Sequence, residues 1–235
     1  LWHCGGSWDH PEYVDNLLSD KEIRELTTDY LEHMMRSPHT IRYLGLGKYL
    51  RYRSIQQITI PFGWKDPKNT FTLPLWLDLF PSAKVVHISR HGVDVANSLK
   101  VREKEFRRLC RERHEKRKRS FKYWIKPYKA SFVNAFNLSH LELGFSIWES
   151  YMNRAFAHVT SLGDQAISLR YEDFLTSPAE WIRRIVDFCK LPASDTEIQS
   201  VVKGIRPDRA YAYRRSPELV AFSETVAESL RTKGY

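Results

Sequence analysis

The sequence predicts an α/β fold, a three-layer sandwich with a mostly parallel central sheet. Two apolar runs carry most of that expectation. Val85-Val86-His87-Ile88 is short, β-branched and flanked by polar residues, which is the signature of a buried parallel strand. Ala166-Ile167-Ser168-Leu169 has the same character. A third stretch, IQQITIPFGWK over residues 55 to 65, reads as a strand ending at Lys65. Strands at 58–64, 84–90 and 165–170, separated by helical periods, predict crossover connections with helices on both faces.

Bulk composition agrees with a folded chain. Its 235 residues suit one domain spanning 1–235, and 42% apolar and 13% aromatic content set it apart from disordered sequences. No run of eighteen apolar residues occurs, so no membrane span is expected, and the absence of a signal-peptide core at Leu1 makes the cytoplasm the expected compartment. Cys4, Cys110 and Cys189 are far apart and lack metal-ligand spacing, which excludes a dense disulfide framework. The formal net charge is +9, and residues 102 to 126 hold twelve Lys and Arg against four Glu.

Taken in order, the chain opens on the polar, aromatic-rich residues 1 to 19. A helix over 19–36 follows, with Ser19 and Glu22 as a capping box and Ile23, Leu26, Tyr30, Leu31, Met34 and Met35 on one face. Gly45-Leu46-Gly47-Lys48 reads as a loop between helices. Asp66 at N-cap and Pro67 at N1 start a helix that ends at Leu79. After the strand at 84–90, Gly92 turns the chain, Asp94 is a fair N-cap, and one long helix runs from 94 to about 119. Its distal half is charge of mixed sign. The aromatic, lysine-bearing stretch that follows makes about 111–137 a basic insertion. Helices are predicted over 138–162, 178–189, 195–203 and 216–233, with a loop of four arginines, Arg206, Arg209, Arg214 and Arg215, before the last.

In open α/β sheets, ligands bind off the carboxyl ends of the strands. Arg90 sits at such an end. Ser98 lies two turns into the next helix, on the side that can face the same crevice. A guanidinium fork and a hydroxyl converging there suit a phosphate. By pattern alone, an Arg90 paired with a neighbouring carboxylate and a solvated Ser98 explain the residues equally well. Lys65 likewise reads as a strand-end cation or as a surface lysine paired with Asp78.

Three segments resemble the sulfotransferases that use 3′-phosphoadenosine 5′-phosphosulfate (PAPS). Phe80-Pro81-x-Ala83-Lys84, the apolar strand, Arg90 and Asp94-Val95-x-x-Ser98 resemble that family's 3′-phosphate-binding segment. Gly63-Trp64-Lys65-Asp66-Pro67 stands where the family carries its lysine. Leu169-Arg170-Tyr171-Glu172-Asp173-Phe174, with Pro178 and Asp187-Phe188-x-x-Leu191-Pro192, is similar to a third family block. The resemblance covers roughly residues 58 to 192, and the Lys-Asp-Pro form is closest to the tyrosylprotein and bacterial branches. It implies a P-loop nucleoside-triphosphate-hydrolase-like fold and sulfuryl transfer from PAPS to an acceptor hydroxyl or amine, without a metal. It also implies roles: Lys65 stabilises the leaving phosphate, Arg90 and Ser98 hold the 3′-phosphate, Tyr171 contacts adenine, and Arg209 or Arg206 closes over the 3′-phosphate from a late basic loop. For the general base, chain order offers Asp9, His10 and Glu12. The family's N-terminal GxxRSGTT loop has no counterpart at Gly5-Gly6-Ser7 or at Gly45-Leu46-Gly47-Lys48, so we expect a chain shortened at its start or a degenerate 5′-phosphosulfate site.

Two other classes stay open. One is a non-catalytic nucleotide- or polyanion-binding module of the same fold, for which the basic insertion would be the anionic partner's surface; no nucleic-acid motif accompanies it. The other is a P-loop phosphotransferase, which requires a GxxxxGK[ST] loop and a magnesium-binding acid.

Overall fold

The computed structural model describes residues 7–121 and 135–235. Cys4, the Gly5-Gly6 pair and the lysine-bearing aromatic stretch 122–134 of the expected insertion lie outside the described residues. Within them the protein is mostly helical, with eleven α-helices and two strands. Strand β1 (Val85–Ser89) pairs in parallel with β2 (Ala166–Arg170). The chain divides into two compact units, one of Leu1–Val86, Ala157–Ile167 and Arg184–Ala193, the other of His87–Phe156, Ser168–Arg183 and Ser194–Tyr235.

The first unit carries α1 (Glu12–Ser19), α2 (Lys21–Arg36), α3 (Ile41–Tyr52) and α4 (Asn69–Leu79). Their apolar faces bury Val14, Leu18, Met35, Leu44, Phe71 and Leu75. The predicted capping box shifts by one residue: Asp20, not Ser19, caps α2, accepting from Ile23 N at 3.0 Å. The predicted loop at Gly45 is a break inside α3, where Gly45 takes φ 73° and ψ 160°. α4 begins three residues after Asp66, whose side chain instead accepts from Lys68 N at 2.9 Å in the turn that leads into the helix.

The strand expected at 58–64 is not formed. Ile55–Gln57 is a 3-10 turn and the residues beyond it are irregular. Pro61 supplies no ladder N–H, Thr59 and Ile60 are exposed, and the aromatic residues are spent on local packing. Phe62 and Trp64 stack at 6.2 Å, and Trp64 meets the edge of Trp76 at 5.0 Å and Phe80 at 5.9 Å. A strand needs a neighbour to satisfy its backbone. Among the described residues only β1 and β2 have one, so two of the three expected strands form, and the three-layer arrangement is not seen.

The second unit holds α5 (Gly92–Lys118), most of α6 (Leu141–Leu162), α7 (Tyr171–Thr176), the start of α8 (Pro178–Cys189), α9 (Asp195–Val202), α10 (Pro217–Thr225) and α11 (Ala227–Thr232). The last helix predicted, 216–233, is two helices broken at Val226. Val93 and Ala96 of α5, Leu141, Phe145, Trp148 and Met152 of α6, Leu219 and Leu230 form the core. The outer half of α5 is a solvated charged helix. Arg108 pairs with Glu105 at 2.6 Å and with Glu112, and Lys118 pairs with Glu115 at 2.9 Å, at the i,i+3 and i,i+4 spacings. Buried Glu103 ties the returning chain to α5, accepting from Ala135 N at 3.3 Å and from Arg107 Nε at 3.0 Å. Neither Cys110 nor Cys189 is in a disulfide. Among the described residues no helix is long and apolar enough to cross a membrane.

Candidate anion-binding site

β1 ends at Ser89, and Arg90 and His91 make the turn into α5. The turn is pinned from two sides. Trp148 Nε1 donates to Arg90 O at 2.9 Å, and His91 N donates to Glu172 Oε1 at 2.9 Å. At Gly92 the chain lies directly against α6. A Cβ there would lie 2.6 Å from Phe145 and 2.7 Å from Trp148, both rigid rings, so no larger residue fits. Sequence alone offers a turn at this glycine; the contact with the aromatic core is what makes it necessary.

The Arg90 side chain is about a third exposed, and its donors are unequally used. Nη2 lies 3.4 Å from Asp94 Oδ2 and donates to Arg209 O at 3.3 Å. Its guanidinium stands 5.3 Å from the centre of the Tyr171 ring. Nε is buried and has no hydrogen-bond partner among the described residues. Asp94, at the third position of α5, is buried, and its two oxygens accept from Ala212 N at 3.1 Å and Tyr213 N at 2.7 Å. Three elements therefore converge on Arg90: the N-terminus of α5, the first residue of α7, and the loop from Arg206 to Arg215.

Of the residues the sequence singled out, four lie in this unit. Arg90 and Tyr171 are in cation–ring contact. Arg209 reaches Arg90 through its backbone carbonyl, while its side chain is exposed. Ser98 is exposed on α5, one helical turn beyond Asp94. The fifth, Lys65, belongs to the first unit, in the irregular stretch before α4, and is exposed. Asp78, the acid that could have neutralised it, is instead gripped by Arg24, with Nε at 2.7 Å and Nη2 at 2.6 Å.

Sequence reasoning missed Asp94 as a loop holder, because an aspartate early in a helix reads as a cap. It reads Glu172 and Asp173 only as residues that could pair with Arg170 or hold the loop. Asp173 takes Arg170 at 2.7 and 3.0 Å, and Glu172 holds the His91 turn. His91 is stacked on Tyr213 at 4.3 Å and edged by Tyr211 and Tyr235. Burial in that cage pushes its imidazole down to about 4; Asp94 opposes the shift, and Arg214 and Arg90 add to it. Burial pushes the Glu172 carboxyl up, against its backbone hydrogen bonds. His91 Nδ1 and Glu172 Oε2 have no hydrogen-bond partner among the described residues. His87 on β1 is half-buried, its Nδ1 2.8 Å from Ser168 Oγ on β2. Of the three base candidates, His10 and Glu12 touch, at 3.2 Å, and Asp9 is engaged by the Ser7 hydroxyl.

The model of the sulfotransferase family matches residues 7–195. The chain belongs to the sulfotransferase family. The match takes in Lys65, Arg90, Ser98 and Tyr171, and leaves the loop with Arg209 beyond its end. No curated protein and no solved structure matches the chain. Arg90, with its buried and unpartnered Nε, thus lies within the residues that the family model matches.

Proposed function

We propose that the protein transfers a sulfuryl group from PAPS to an acceptor hydroxyl or amine, as one domain of the P-loop-like fold that its family adopts. The observation that carries this is Arg90: a guanidinium held in place by a longer ion pair and a carbonyl, with a buried Nε that no described residue satisfies. An arginine that is oriented but not consumed is suited to a phosphate, since a charge-assisted bond to phosphate is shorter and stronger than the contacts it now makes. Arg90 and Ser98 hold the 3′-phosphate, Tyr171 packs on adenine, and Arg209 adds charge from the late loop.

In the reaction, the acceptor oxygen or nitrogen attacks sulfur in line. The bond from sulfur to the bridging oxygen breaks, its electron pair goes to the 5′-phosphate of adenosine 3′,5′-bisphosphate, and the acceptor proton passes to a base. Lys65 is assigned to neutralise the departing oxygen on the likeness of its Gly-Trp-Lys-Asp-Pro segment and on its exposed ammonium. Calorimetric titration without magnesium tests the reading. Adenosine 3′,5′-bisphosphate should bind at least about tenfold more tightly than adenosine 5′-monophosphate, the worth of one charge-assisted phosphate contact. Equal affinity for the two overturns it.

A further inference from the structure

We propose that Asp94 is a positioning residue that assembles the anion site by holding the 206–215 loop against Arg90; this rests on the reading of Arg90 as a phosphate ligand. The distances decide what Asp94 does. Its bonds to Tyr213 N and Ala212 N, at 2.7 and 3.1 Å, are hydrogen bonds of ordinary or short length. Its approach to Arg90, at 3.4 Å, is longer than the 2.7–2.9 Å of a charge-assisted pair. The carboxylate is spent on the loop and only steers the guanidinium.

The loop has a reason to need holding. Tyr211 sits in the left-handed region, at φ 47° and ψ 41°, which costs a non-glycine residue energy. That conformation turns the chain so that the next two amides point at Asp94. Four arginines ride on the loop, all exposed, and Arg214 stacks on Tyr211 at 4.4 Å. Left free, such a loop would be driven from Arg90 by like charge. Asp94 sits at the α5 N-terminus, where the helix dipole favours an anion, and there it balances both. With the loop in place, Arg209 O fixes Nη2 from the second side. The guanidinium is then held by Asp94 on one side and by the Arg209 carbonyl on the other, with about a third of the side chain exposed.

A double-mutant cycle tests this, with adenosine 3′,5′-bisphosphate titrated into the wild type, Asp94→Asn, Arg90→Ala and the double variant. Asp94→Asn should weaken binding about tenfold, the worth of a lost charge-assisted contact, and should have no further effect in the Arg90→Ala background. Trypsin should also cut Asp94→Asn faster within 206–215 than the wild type. If Arg90→Ala weakens binding and Asp94→Asn does not, the positioning role is overturned and the phosphate site stands. Tighter binding by Asp94→Asn, or an equal loss with and without Arg90, also overturns it. If Arg90→Ala changes nothing, the phosphate reading itself falls. Should Asp94→Asn fail to fold, hydrogen exchange on the wild type decides. Ala212 and Tyr213 amides exchanging at open-loop rates would refute the clamp, and slow exchange at both would support it.

Discussion

Arg24 and Arg90 each stand beside an aspartate, and the two pairs are built differently. Arg24 closes its fork on Asp78, with both carboxylate oxygens engaged at 2.6 and 2.7 Å, and both side chains are about a third exposed. The Nε–Nη2 edge of the fork is thereby matched to both oxygens of the carboxylate. Arg90 faces a carboxylate that is 3% exposed and already serves two backbone amides, so the pair stays at 3.4 Å and the arginine keeps a buried donor unspent. What separates a structural arginine from a binding one is therefore where the aspartate's oxygens go. In the first unit they go to the arginine, and in the second they go to a loop.

The largest expected effect sharpens that contrast through pH. Burial holds His91 down at about 4, against roughly 6.5 for an unperturbed histidine. The unfolded chain therefore takes up this proton first as pH falls. Stability is complete above the unfolded value and is lost as pH drops toward the folded one, by about 3 kcal/mol in all. Glu172 works with the opposite sign: its raised carboxyl holds a proton in the fold that the unfolded chain releases, so stability falls as pH rises above the ordinary carboxylate range. Glu172→Gln removes that opposing part. Denaturant unfolding of this variant between about pH 4 and 6.5 should show stability rising steadily with pH. A flat profile would mean His91 is not buried neutral in its tyrosine cage.

Next in size are two glycines. Gly92→Ala drives a methyl group into Phe145 and Trp148 and should cost about 1–3 kcal/mol, read as a lower Tm. Gly63→Ala, two residues before Lys65, meets nothing within 4 Å and should stay within about 0.5 kcal/mol of the wild type. Equal effects would erase the distinction between a turn locked on a core and one lying open. A modest effect also belongs to Arg24→Ala. Its pair is solvated, so its loss should cost no more than about 1 kcal/mol, and a larger drop in denaturation midpoint would make it a core tether instead.

The elements that carry Arg90 were readable as sequence, and particular residues explain why. β1, β2 and α5 follow from local signals: a short β-branched run, and a glycine turn ahead of an apolar helical face. The place of Arg90, just past the end of β1, follows from them. The strand at 58–64 was misread because alternation of apolar residues says nothing about whether a neighbouring strand exists, and Phe62 and Trp64 satisfy their apolar demand on Trp76 and Phe80 instead. Asp94 and Glu172 escaped for a different reason. Their partners, Tyr213 and His91, lie 119 and 81 residues away in the chain, and a hydrogen bond of that span leaves no local pattern.

The most direct measurement is the affinity of adenosine 3′,5′-bisphosphate for the Arg90→Ala and Arg24→Ala variants side by side. Arg90→Ala should bind about ten- to a hundredfold more weakly than the wild type, the loss of a charge-assisted contact, and Arg24→Ala should bind as the wild type does. Unchanged affinity in Arg90→Ala, or an equal loss in both, would contradict the assignment of Arg90 as the open arginine that holds the ligand's phosphate.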